Sequence, residues 1–161
     1  MEYIEVLICD VRKDNIDELV FNDIIMDRSA IKNSHFYDKM KEEDLELDDI
    51  LSLKNVLSPF GTGSMFVNTL TIGSILIHDV SIVISFDEVY GDIVFQFPEK
   101  EVLDEGGEID KQRCKEITEY FLFLMNKYNF DSVKLGYDPI DVVGNVLYHV
   151  NGKSIVTNEI D

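Results

Sequence analysis

Tyr90-Gly91-Asp92-Ile93-Val94-Phe95-Gln96-Phe97-Pro98-Glu99 is the stretch that decides the fold class. Ile93, Phe95 and Phe97 alternate with Asp92, Val94 and Gln96. Successive side chains of a strand point to opposite faces, so this run buries one face and leaves the other mostly wet. Upstream, residues 80–86 form a second run rich in Val, Ile, Ser and Phe. Asp87-Glu88-Val89-Tyr90-Gly91 joins the two and is short enough for a hairpin, with Gly91 free to take positive φ. Residues 65–77 read as a third run, with His78-Asp79 as the break before the second. Connections this short imply an antiparallel meander.

Downstream, Asp104-Glu105-Gly106-Gly107 reads as a loop, followed by a helix over residues 109–128. Ile117, Tyr120, Phe121, Leu124 and Tyr128 make one stripe at helical spacing, and Leu122, Phe123 and Met125 widen it. A stripe of that width packs across a sheet and serves as core rather than as a cofactor box. Residues 130–137 return as a strand, Pro139 breaks it, residues 142–150 add another, and the C-terminal residues read as frayed. Towards the N-terminus, residues 3–11 are β-rich. Asp14 can cap a helix carrying Ile16, Leu19, Val20 and Ile24. Residues 33–46 are highly charged and suit a short helix or loop, and residues 48–57 suit another helix. The expectation is a single α+β domain over residues 1–161. It has an antiparallel sheet of about four to six strands, packed against a long amphipathic helix in the C-terminal half, with additional N-terminal helices.

A chain of 161 residues is the size of one domain. Its hydrophobic content of 45% is enough for a core and too high for disorder. No run approaches the ~18 uninterrupted apolar residues of a membrane helix. The acidic start Met1-Glu2-Tyr3-Ile4-Glu5 does not resemble a basic signal-peptide region, so a cytoplasmic location is expected. Cys9 and Cys114 then read as reduced thiols. Acids outnumber bases 32 to 14, a formal charge of −18. Nucleic acid binding needs cations to replace phosphate counterions, and an anionic membrane would repel such a chain, so both partners are excluded. A basic protein partner, met by long-range steering, fits the charge.

Catalytic and metal signatures are missing. His35, His78 and His149 are scattered, with no HxxxH or HExxH spacing. Gly61-Thr62-Gly63-Ser64 lacks the lysine of a phosphate loop and reads as a turn entering the sheet. The Asp104–Asp110 stretch lacks calcium-loop spacing. No cofactor, metal or catalytic residue is expected. Charge placement says more: residues 64–107 carry eight carboxylates against Lys100 alone. Asp87, Glu88, Asp92, Glu99, Asp104 and Glu105 lie at strand ends and loops, which would give the sheet a negative rim with Tyr90 inside it. Tyr137-Asp138-Pro139-Ile140-Asp141 is a second candidate patch: a stiffened turn offering one aromatic ring and two carboxylates. The candidate partner-binding residues are therefore Asp87, Glu88, Tyr90, Asp92, Glu99, Asp104, Glu105, Tyr137, Asp138 and Asp141, with Tyr90 and Tyr137 as anchors.

Val83-Ile84-Ser85-Phe86-Asp87, then Tyr90 to Glu99, then a long amphipathic helix and Leu135-Gly136-Tyr137-Asp138-Pro139 together resemble immunity proteins of bacterial polymorphic toxin systems of the contact-dependent inhibition kind. The resemblance covers residues 80–141. It implies a small cytoplasmic inhibitor that neutralises a cognate secreted toxin by binding a basic nuclease or other toxin domain. The expected function is therefore non-catalytic partner binding, with a monomer as the expected state. The alternative is a small-ligand module or enzyme whose site is assembled only in the fold, and a third reading is a subunit of a homo-oligomer. A deep pocket bringing His78 or His149 beside carboxylates would favour the enzyme.

Overall fold

The alternation that marks one strand runs through nearly all of the protein. The computed structural model describes residues 1–152 and 154–157. They form one antiparallel sheet of nine strands: β1 (Tyr3–Arg12), β2 (Ile31–Asp38), β3 (Glu43–Leu45), β4 (Gly61–Ile72), β5 (Ile75–Phe86), β6 (Tyr90–Pro98), β7 (Ser132–Tyr137), β8 (Val146–Asn151) and β9 (Ser154–Thr157). The spatial order is β3-β2-β4-β5-β6-β1-β7-β8-β9. The expected α+β class holds and the expected strand count is too small.

Two corrections account for the difference, and another moves a turn. The stretch 33–46, expected as a short helix or loop, supplies β2 and β3. An edge pair shows little apolar alternation because few of its side chains meet the core; Phe36 is its one buried residue. The β4–β5 turn lies at Gly73-Ser74, with Gly73 at φ 63°, and not at His78-Asp79. Asp79, at φ 57°, instead lies inside β5, where the ladder skips one pair between Val67–Val80 and Thr69–His78 without a change of register. Finally, the C-terminal segment expected to fray carries β9, while residues 158–161 lie outside the described residues.

The β4–β5–β6 meander is as expected. The N-terminal strand is its continuation in space: β1 pairs with β6 on one side (Val6 opposite Phe95) and with β7 on the other (Val6 opposite Leu135). Its register slips between Ile8 and Val11, where Asp10 takes φ 59°.

One face of the sheet is covered. Ile4, Val6 and Ile8, Ile82, Ile84 and Phe86, and Ile93, Phe95 and Phe97 share a buried cluster with the helical segments. The 18-residue helix α3 (Lys111–Tyr128) places Phe121 at 5.3 Å from the Phe95 ring. Asp110 caps α3 by accepting the Arg113 N–H at 3.0 Å, and Asn129 closes it in the left-handed conformation at φ 58°. The expected N-terminal helices are reduced to short pieces. Residues 13–24 wind as a 3₁₀ turn, then α1 (Ile16–Glu18), then a π turn. Asp14 does not cap them, because its carboxylate is held by Lys54 at 2.7 Å. The second expected helix survives as a 3₁₀ turn and α2 (Leu53–Val56), whose first N–H groups donate to Asp17 at 2.8 and 3.1 Å.

Among the described residues, no helix packs on the other face. Glu5, Leu7 and Cys9 on β1 point there, as do Val94 and Gln96 on β6, and Ser81, Val83 and Ser85 on β5. Leu7, Val94 and Val83 lie side by side across three strands and belong to no part of the core cluster.

Candidate partner-binding surface

Because β5 and β6 are antiparallel, the carboxylates at their ends fall at opposite ends of the sheet. Asp92 and Glu99 are seven residues apart on an extended strand, roughly 23 Å at ~3.3 Å per residue. The expected rim is therefore two separate groups.

The first surrounds the β5–β6 hairpin. The Asp87 N–H donates to the Tyr90 carbonyl at 2.8 Å and closes the turn, leaving Asp87, Glu88, Val89 and Tyr90 exposed. Asp92 accepts the Asp10 N–H at 3.1 Å. This group already holds cations. Arg12 lies 5.9 Å from the Tyr90 ring centroid. Lys13 is only 4% exposed and donates from Nζ to the Pro59 carbonyl at 2.8 Å. Burial pushes the Lys13 ammonium below its ordinary range, and the fields of Glu88 and Asp87 partly restore it. Lys54 holds Asp14 below the usual carboxylate range through their hydrogen bond and charge.

The second group lies at the opposite end, where β1, β6 and β7 meet. The Tyr137 hydroxyl donates to Glu99 at 2.9 Å. Burial, that hydrogen bond and the charges of Glu99 and Glu2 push the phenol up to about 12. Asp138 accepts from Gln96 Nε2 at 3.2 Å, and the same nitrogen lies 3.4 Å from Glu5 Oε1. The second Glu5 oxygen accepts the Ile140 N–H at 3.0 Å. The Glu5 carboxyl is pushed up mainly by burial, and further by the charges of Asp138 and Asp141. Among the described residues, none of Glu2, Glu5, Glu99, Asp138 and Asp141 forms an ion pair. Here the negative charge is uncompensated.

Asp104 and Glu105 belong to neither group. Asp104 organises the loop before α3, accepting the N–H groups of Gly106 at 2.8 Å and Glu108 at 3.1 Å, and Glu105 is exposed beside it. The structure thus splits the expected residues at this end between the two faces of the sheet: Tyr137, opposite Ile4, packs on the helix-covered side with Glu99, while Asp138 and Asp141 stand with Glu5 on the open side; Asp87, Glu88, Tyr90 and Asp92 gather at the hairpin. Tyr137 is only partly exposed and bound to Glu99, whereas Tyr90 is exposed. Glu5 was missed. Its signal was the wet half of the β1 alternation, but its neighbours at 96 and 138 are distant in sequence.

His78 meets Glu101 at 3.2 Å on the surface. One surface cleft of about 500 Å³ is lined by Asp10, Tyr90, Asn129, Phe130, Asp131, Asn151 and Gly152. Another, of about 300 Å³, is lined by Asp17, Glu18, Phe21, Asn22 and Arg28. Neither is lined by a histidine. No helix among the described residues is long and apolar enough to cross a membrane.

Residues 2–144 match the sequence model of the family described as PABL017 Cdi1I immunity protein. No curated protein matches the chain. Among solved structures, a chain of the crystal structure of the toxic C-terminal tip of CdiA from Pseudomonas aeruginosa in complex with immune protein superposes with a TM-score of 0.67. The alignment covers 92% of this chain and 94% of that one at 13% identity, a likeness of fold.

Proposed function

The chain belongs to the Cdi1I immunity protein family, and from that premise we propose that it is a non-catalytic cytoplasmic inhibitor that neutralises a cognate toxin domain by binding it through an acid-rich surface. The observation that carries this reading is the family match, which spans β1 to the β7–β8 loop and so includes both carboxylate groups. The charge supports a basic partner. A toxin that acts on nucleic acid needs a positive cleft, and a preformed negative surface can occupy it. Attraction between opposite fields would raise association towards ~10⁸ M⁻¹s⁻¹ or above at low salt. The inhibitor acts as a single-domain monomer, with Tyr90 at one end of the sheet and Tyr137 at the other as candidate anchors.

The test is co-expression with the toxin domain encoded beside this chain's gene. The expected result is a co-purifying one-to-one complex and protection of the producing cell. Toxicity undiminished by the protein, with no complex on size exclusion, would overturn the proposal.

A further inference from the structure

The inhibitor reading leaves open where the partner sits, and the helix-free face of the sheet answers this. Leu7, Val94 and Val83 form a continuous apolar row across β1, β6 and β5, outside the core cluster. Val83 is 39% exposed. Strands with a solvated face normally turn polar residues outward, so three adjacent aliphatic side chains on that face are surface held ready for another molecule. The row has a wall. The β7–β8 loop stands over Glu5 and is braced by Asn145, which donates from Nδ2 to the Pro139 carbonyl at 2.9 Å and from its backbone N–H to Val142 at 3.1 Å. Ile140 is buried yet lies outside the core cluster, and Val143 at the loop tip is 99% exposed. At the base of this wall stand the unpaired carboxylates of Glu5, Asp138 and Asp141.

From this juxtaposition we infer that the open sheet face, bounded by the β7–β8 loop, is the seat of a cationic protein segment. The segment's apolar side chains cover Leu7, Val94 and Val83, and its basic side chain enters between Glu5 and Asp141. The inference rests on the inhibitor reading and names its binding site. Charge selects the occupant: a second copy of this chain would bring its own uncompensated carboxylates to the wall, so a cationic partner fits and self-association does not. The hairpin carboxylates Asp87 and Glu88 at the far end, in the field of the buried Lys13 ammonium, contribute long-range attraction rather than contact.

The experiment measures association and dissociation rates between the full chain and the toxin domain encoded beside its gene, with thermal unfolding and sedimentation of each variant as controls. Val83→Lys and Asp141→Lys both alter exposed side chains and should leave unfolding unchanged. Each is expected to speed dissociation at least thirtyfold. Asp87→Lys with Glu88→Lys is expected to slow association severalfold and leave dissociation unchanged. Wild-type dissociation rates in Val83→Lys and Asp141→Lys, with dissociation accelerated by the hairpin pair, would move the site to the hairpin and overturn the inference while sparing the inhibitor reading. A wild-type dimer broken by Val83→Lys would overturn it by making the face a self-association surface. Absence of any wild-type complex would overturn both.

Discussion

Replacing Glu5 by Gln should separate binding from stability. The Glu5 carboxylate is half-buried, held by the Ile140 N–H at 3.0 Å and placed in the fields of Asp138 and Asp141. Burial and like charge both raise its affinity for a proton in the folded state. The folded protein then binds more protons than the unfolded chain as pH rises from just below the ordinary value of 4.5, so the charged group costs stability above that range. Gln keeps an oxygen for the Ile140 N–H and removes the charge. The stability of Glu5→Gln relative to wild type should be nearly equal at pH 3.5 and should improve as pH rises to 7, with a higher melting temperature than wild type at the upper pH. Binding should move the other way. A partner cation at ~4 Å in an effective dielectric of ~20 gains about 4 kcal/mol. Dehydrating both groups takes much of that back, and truncations of charged hydrogen bonds lose about 1.5–3 kcal/mol. At about 1.4 kcal/mol per tenfold, the dissociation constant should rise roughly 10–150-fold. Calorimetric melting at the two pH values and titration with the toxin domain provide both readouts. A Glu5→Gln variant that is less stable than wild type at pH 7, or that binds the toxin as tightly, would refute the argument.

Phe121→Ala should destabilise the fold by about 3–5 kcal/mol, because the ring is fully buried and packs on Phe95; the melting temperature should fall by roughly 6–20 °C, and a fall under about 3 °C would mean that α3 does not cover the sheet. Gly63→Ala should cost about 1–3 kcal/mol through overpacking, since a Cβ there would stand 2.2 Å from Phe36 Cδ1; chemical denaturation of this variant beside Gly63→Ala/Phe36→Leu should show part of the loss recovered. Burial raises the Cys114 thiol to about 12, so at pH 8 a disulfide reagent should label it only as fast as the protein unfolds, and rapid labelling of the native state would contradict its placement beneath the sheet.

Short-range pattern in the sequence determined the meander, the class and the 18-residue helix. Period-two alternation at Ile93, Phe95 and Phe97 and helical spacing at Ile117, Phe121 and Leu124 are properties of neighbouring residues, and burial of one face acts on each element separately. The charged strands β2 and β3 were not legible. An edge strand buries little, and its hydrogen bonds to the neighbouring strand leave no trace in composition. The acidic character was legible from the count of charges, and the pairing of acids into sites was not. Asp87 and Glu99 look like one rim in sequence and stand at opposite ends of the sheet, because an extended strand separates them. Glu5 and Asp138 look unrelated and share one Gln96 amide. That meeting exists only because β1 inserts between β6 and β7, an arrangement set by the burial of Val6 against both neighbours and by backbone pairing across more than a hundred residues. The apolar row on the open face was decided in the same way: Leu7, Val83 and Val94 each read as an ordinary aliphatic residue, and only the register of three strands places them side by side.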